Sequence, residues 1–169
     1  MSESVQEHKA AAKVSIRVGV ITVSDTRTLE TDTSGQLIEQ IALLASHQVA
    51  WRQIVHDEPS EIQGAIARAQ SDPSIQALLM TGGTGISPRD QTVETLERLF
   101  TRHIPGYGEL FRWLSYQEIG PACILSRATG GLIGPLVVLL MPGSKAAVKL
   151  AMEQIIIPEL PHLVRESTK

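Results

Sequence analysis

The chain has 169 residues, 43% hydrophobic and 20% charged, with a formal charge of -3 and only two Trp, two Tyr and two Phe. That length suits one domain with a sizeable, mainly aliphatic core. The near-neutral, interspersed charge gives no electrostatic reason for nucleic acid or an anionic membrane as partner, and the single cysteine, Cys123, excludes an intrachain disulfide.

The opening stretch MSESVQEHKAAAK lacks the apolar core of a signal peptide. It reads as a flexible lead-in over residues 1–13, ahead of one domain over 14–169. KVSIRVGVITVSD follows, with Val14, Ile16, Val18, Val20 and Val23 marking a β-branched strand that is nearly continuous in hydrophobicity, as when both faces are covered. A helix is expected from Asp32 to Ser34 onward, with Leu37, Ile38, Ile41, Leu44 and Ala45 on one stripe. QVAWRQIVHD reads as a second strand. EPSEIQGAIARAQ reads as a helix, with Ile62, Ala65, Ile66 and Ala69 at i, i+3, i+4 and i+7.

SIQALLMTGG is a third strand, followed after TGGTGISPRD by a helix through Leu96, Leu99 and Phe100. A further helix is expected from about Tyr107 to Glu118, on which Trp113 and Tyr116 would pack a core or a subunit interface. ILSRATGGLIG suggests a small hairpin arm, and PLVVLLMPGS a buried strand. The last helix starts at Ser144 and runs through Val148, Ala151, Ile155 and Ile156, with Pro158 expected to bend or end it. Strands alternating with helices imply an α/β fold, with a mostly parallel sheet covered on both faces. No apolar run is long enough to span a membrane, so a cytoplasmic protein is expected.

In such a sheet, ligands bind outside the carboxyl ends of the strands. Those ends are TVSD, HDEPS, TGGTGISPRD and MPGS, all rich in small and polar residues. The loop Gly82-Gly83-Thr84-Gly85 matches neither the Walker A pattern, because no glycine here precedes a lysine, nor GxGxxG, because Pro88 stands where the last glycine is needed. It remains a side-chain-poor loop able to wrap an anion or a planar ring. Asp57 and Asp90 each occupy a strand-to-helix junction. There an aspartate commonly caps the helix, and Pro59 supports that role for Asp57. The alternative is a Mg²⁺ site, since this ion takes one or two carboxylates plus substrate phosphates.

Asp90 is the stronger metal candidate, because Arg89 beside it can meet phosphate or carboxylate. Ser144 is either an N-cap or a phosphate seat, and Ser24 and Asp25 are either turn formers or contacts to a ring. The five histidines show no close pairing of the kind zinc needs. Cys123 is expected to be a small buried residue.

Together, TVSD, DTSG, TGGTGISPRDQTVE, GYGELFRWLSYQEIGPACILSRATGG and MPGS resemble the MoaB/Mog family of molybdenum-cofactor biosynthesis, over roughly Val14 to Leu160. GYGELFRWLSYQEIG is similar to its MoaB branch. The resemblance implies a three-layer α/β/α molybdopterin-binding fold. It also implies transfer of AMP from Mg-ATP to the terminal phosphate of molybdopterin, with release of pyrophosphate. The alternative in the same pathway is a non-catalytic molybdopterin carrier.

The same resemblance implies that Asp57 and Asp90 are catalytic, and the chemistry of this transfer has them hold Mg²⁺ directly or through water. Gly82, Gly83, Thr84, Gly85 and Arg89 would line the phosphate or pterin. Gly143 and Ser144 would take an anion, with the pterin near Ser24 and Asp25. Partners would be molybdopterin and ATP as substrates, further copies of the chain in a trimer or hexamer, and the molybdate-inserting protein of the pathway.

Overall fold

A computed structural model describes residues 15–169; the lead-in expected over residues 1–13, and Val14 of the first strand, lie outside the described residues. The elements in chain order are β1 (Arg17–Val23), α1 (Thr33–Leu44), β2 (Gln48–Val55), α2 (Pro59–Ser71), β3 (Ala77–Thr81) and α3 (Thr92–Leu99). They continue with β4 (Arg102–His103), α4 (Pro105–Ile119), a 3₁₀ turn (Gly120–Leu125), β5 (Thr129–Ile133), β6 (Leu136–Met141), α5 (Lys145–Ala151), a π turn (Met152–Ile156) and α6 (Ile157–Ser167). The six strands form one sheet in the order β2-β1-β3-β6-β5-β4. The first four are parallel, and β5 runs antiparallel to both of its neighbours.

Strand side chains alternate between faces, and here both faces are covered. Val18, Val20, Leu79, Val137 and Leu139 join one apolar cluster with residues of α1, α4, α5, the π turn and α6. Ile21, Leu78, Met80, Val138 and Leu140 join a second cluster with Ile62, Ile66 and Leu96 of α2 and α3. This is why β3 and β6 read as unbroken apolar runs: every residue of Ala77–Thr81 and Leu136–Met141 is buried. The fold is the expected three-layer α/β/α arrangement.

Several local expectations are refined. The hairpin in ILSRATGGLIG is β5 turning at Gly134 and Pro135 into β6, where Ile133 pairs with Leu136. It continues the main sheet instead of standing out as an arm, and its free side is taken by the two-residue β4, which had no pattern long enough to be read. Pro158 does not end the last helix. The Ile157 N–H reaches back to the Met152 carbonyl across the π turn, so Pro158 falls in the first turn of α6, where its missing N–H costs little. Trp113 and Tyr116 do not enter the core; they are 61% and 54% exposed. Cys123 is half-buried in the 3₁₀ turn rather than buried, because that turn lies over the surface and contributes no buried residue.

Candidate functional site

The parallel pairing puts the four predicted loops on one rim. Thr22 pairs with Thr81, and Thr81 with Met141, while Val23 pairs with Val55. The chains leaving those positions are therefore neighbours. The Gly82 amide donates to the Met141 carbonyl at 3.2 Å, and the Thr81 hydroxyl donates to the Pro142 carbonyl at 3.1 Å. Ser34, in the first turn of α1, donates to the Gly143 carbonyl at 2.7 Å.

Asp57 is the most constrained group on the rim, 6% exposed. Its Oδ1 accepts from the Gln91 amide at 3.1 Å and the Thr92 hydroxyl at 2.8 Å. Its own amide donates to Asp25 Oδ1 at 3.1 Å, and its carbonyl accepts from Arg89 at 3.0 Å. Among the described residues Oδ2 has no hydrogen-bond partner, and it faces the glycine loop. A Cβ placed on Gly83 would overlap the Thr92 hydroxyl and lie 2.8 Å from Asp57 Oδ2, at a residue whose φ is +64°. Glycine is required there on both counts. Burial pushes the Asp57 carboxyl above its ordinary range, and the charge of Asp90 adds to this; the Thr92 and Gln91 hydrogen bonds oppose it.

Asp90 is half-buried. Its Oδ2 accepts from the Ser87 amide at 2.9 Å, and Oδ1 has no hydrogen-bond partner among the described residues. Gly85 lets this carboxylate lie over the loop, since a Cβ there would come within 2.5 Å of Oδ2. Neither aspartate caps its own helix, which corrects the capping expectation. The N-caps of α2 and α3 are Glu58 and Gln91, neither using its side chain. Pro59 opens α2 without an N–H to cap, and the Asp57 side chain turns toward residues 91 and 92 instead.

Arg89 meets carboxylates. Its Nε and Nη2 form a fork on Asp25 at 3.0 and 3.1 Å, and Nη1 binds Glu58 at 2.5 Å. Asp25 is held below the usual carboxylate range by the Asp57 amide and by Arg89. Ser24 folds back as a turn, accepting from the Thr26 and Arg27 amides at 3.3 and 3.2 Å. Ser144 caps α5, accepting from the Ala147 amide at 3.2 Å. The amides of Gly83, Thr84 and Gly85 donate to no other described residue. Thr84 is buried, and its carbonyl accepts from Arg127 at 3.4 Å.

Four supporting groups were not singled out as site residues by the sequence. Asp32 is 3% exposed. It caps α1 through Gly35 at 2.9 Å, accepts from Thr22 at 2.8 Å and pairs with Arg52 at 3.0 Å. The DTSG pattern marked it only as a helix start. Thr92, which locks Asp57, lies inside the motif TGGTGISPRDQTVE but reads there as an ordinary helix residue. Glu58 and Arg127 enter through contacts 31 and 43 positions away in the chain.

For a metal, the available oxygens are Asp57 Oδ2 and Asp90 Oδ1. Among the described residues, no group of three or more His, Cys, Asp or Glu is placed to hold an ion. Two carboxylates suit Mg²⁺ that arrives with substrate phosphates better than a resident all-protein site.

A sheet of this topology with a glycine loop and two acidic groups at its carboxyl rim defines a ligand-binding α/β protein. The family described as "Probable molybdopterin binding domain" matches residues 19–162, and the chain belongs to that family. The chain is 51% identical over 167 residues to "Molybdenum cofactor biosynthesis protein B" of Bacillus subtilis (strain 168), covering 98% of each. Among solved structures, it is similar to a crystal structure of molybdenum cofactor biosynthesis protein B, with TM-score 0.90, 46% identity, and coverage of 93% of this chain and 98% of that one. It is also similar to the tungsten cofactor synthesizing protein MoaB from Pyrococcus furiosus, with TM-score 0.83, 36% identity, and coverage of 94% and 100%.

Proposed function

We propose that the chain acts in molybdenum cofactor biosynthesis, binding molybdopterin at the carboxyl rim and transferring AMP to its terminal phosphate from Mg-ATP. The observation that carries this reading is the pair Asp57 and Asp90. Each is held by the backbone at one oxygen, and among the described residues the other oxygen and three amides of the adjoining loop have no hydrogen-bond partner. Asp57 and Asp90 would hold the Mg²⁺ that arrives with ATP, which would supply positive charge to the phosphates.

The chain's own groups do the rest by position. The Gly83, Thr84 and Gly85 amides receive phosphate oxygens without a side chain in the way. The Thr92 hydroxyl and Gln91 amide keep Asp57 Oδ1 turned away from the substrate, so that Oδ2 is the oxygen presented. Arg89 ties Asp25 to the Asp57 backbone and holds the β1 and β2 loops at a fixed spacing. No general base is needed, since a phosphate nucleophile is already ionised at neutral pH. Adenylyl transfer then depends on alignment and electrostatic stabilisation.

Incubation with molybdopterin, ATP and Mg²⁺ should yield adenylylated molybdopterin and pyrophosphate. Bound pterin with no product above background would instead establish a carrier. Self-association belongs to the same proposal. Leu110, Trp113, Tyr116 and Ile119 of α4 are exposed apolar residues that wind part of the way round the helix. Light scattering should report a trimer or hexamer, and a monomer at micromolar concentration would overturn that part.

A further inference from the structure

Beside the glycine loop, one guanidinium joins the segment before β5 to the loop and to the first turn of α3. Arg127 follows the 3₁₀ turn and precedes β5. Its Nε donates to the Thr84 carbonyl at 3.4 Å, and its Nη1 binds Glu94 Oε1 in the first turn of α3. The base of this contact is itself anchored. Arg112 of α4 donates to the Ala128 carbonyl at 3.2 Å, and Gly108 lets α4 approach that same carbonyl closely.

The pair is inserted at the arginine end, while the Glu94 side chain is 43% exposed. The Arg127 side chain is 24% exposed, and both Arg127 Nη2 and Glu94 Oε2 are buried without a hydrogen-bond partner among the described residues. Arg127 holds the Glu94 carboxyl below its usual range. A pair that leaves two polar atoms unsatisfied is a poor source of stability for its own sake. Its geometry instead spans the glycine loop and the helix that begins just beyond Asp90.

We propose that Arg127 is a positioning residue for the rim: with Glu94 it forms a strut that fixes the Thr84 peptide against α3. It thereby sets the distance between the free amides of the glycine loop and the Asp57–Thr92 contact. Lysine replaces it only in part, because a single ammonium does not offer the planar fork that reaches a carbonyl and a carboxylate at once. For its effect on substrate, the strut depends on the loop being the phosphate or pterin seat proposed above.

The test has two arms. In the first, hydrogen exchange is followed in wild type, Arg127→Ala, Arg127→Lys and Glu94→Gln at residues 82–91. There the amides of Gly82, Ser87, Asp90 and Gln91 are hydrogen-bonded. Faster exchange in that segment by about 10-fold or more, with protection of β1 and β3 unchanged, is the expected result for Arg127→Ala. Arg127→Lys should fall between it and wild type. In the second arm, molybdopterin binding and adenylylation are measured. Arg127→Ala should weaken both by about 10- to 100-fold, the usual cost of removing a group that orients another.

Unchanged exchange at 82–91, or protection lost equally throughout the sheet, would overturn the strut. If Arg127→Ala does not fold, Glu94→Gln, which keeps the shape but removes the charge, decides by the same exchange criterion. Failure of the wild-type chain to bind molybdopterin would overturn the proposed function, while the exchange arm would still decide the strut.

Discussion

Replacing Gly83 with alanine tests whether the loop is built around Asp57. Two costs can be separated. The residue sits at φ +64°, where an L-residue loses about 1–2 kcal/mol. The added Cβ would also displace the Thr92 hydroxyl from Asp57 Oδ1, and loss of a buried hydrogen bond to a carboxylate costs about 1.5–3 kcal/mol. Gly134 supplies the control, with φ +62° and nothing within 4 Å of its would-be Cβ. Gly134→Ala should therefore show the backbone cost alone.

The difference between the two variants is the packing cost, about 1.5–3 kcal/mol, or roughly 3–12 °C in Tm for a chain of this size. Urea and thermal unfolding of both proteins, followed by circular dichroism, measure it directly. If the two variants agree within about 0.5 kcal/mol, Gly83 is only a turn residue, and the close approach of the loop to Asp57 and Thr92 is refuted.

Asp57→Asn should leave Tm unchanged or slightly higher at pH 7 while lowering adenylylation by about 100-fold or more. Burial raises the Asp57 pKa, so its charged form is disfavoured in the fold and a neutral isostere relieves that cost; a large loss of stability would contradict this. His47 is 7% exposed, its Nδ1 accepts from the Ile16 amide at 3.2 Å, and burial lowers its pKa from 6.5. Because the folded pKa is the lower one, its contribution is present above about pH 6.5 and lost as pH falls through the folded value. Wild type should lose more stability than His47→Asn between pH 7 and pH 5, and parallel pH–stability curves would refute the assignment. Ser144→Ala should cost about 1 kcal/mol through loss of the α5 cap, measured by urea denaturation; no change would mean that the cap contributes nothing.

The α/β class was legible because its signals are local. Alternating β-branched residues mark β1, i, i+3, i+4 spacing marks α2, and an unbroken apolar run marks β6. Each reflects side-chain directions set by the element itself. The rim was legible one step further out, since parallel topology dictates that the loops after β1, β2, β3 and β6 share an edge. β4 was not legible, because two residues carry no period. Pro158 was misleading, because a π turn upstream moves the helix register to suit it.

Local pattern in the chain therefore marks two carboxylates, a glycine loop, and the strands that bring them to one edge. Only the tertiary structure decided how they are used. Asp57 turns from its own helix to Thr92 and Gln91, Arg89 is committed to Asp25 and Glu58, and Arg127 reaches the loop from 43 positions away. Such pairings depend on where folded segments meet in space, and an ionised side chain taken out of water goes to whichever partner the packing brings within hydrogen-bond distance. No local pattern in the chain records that choice.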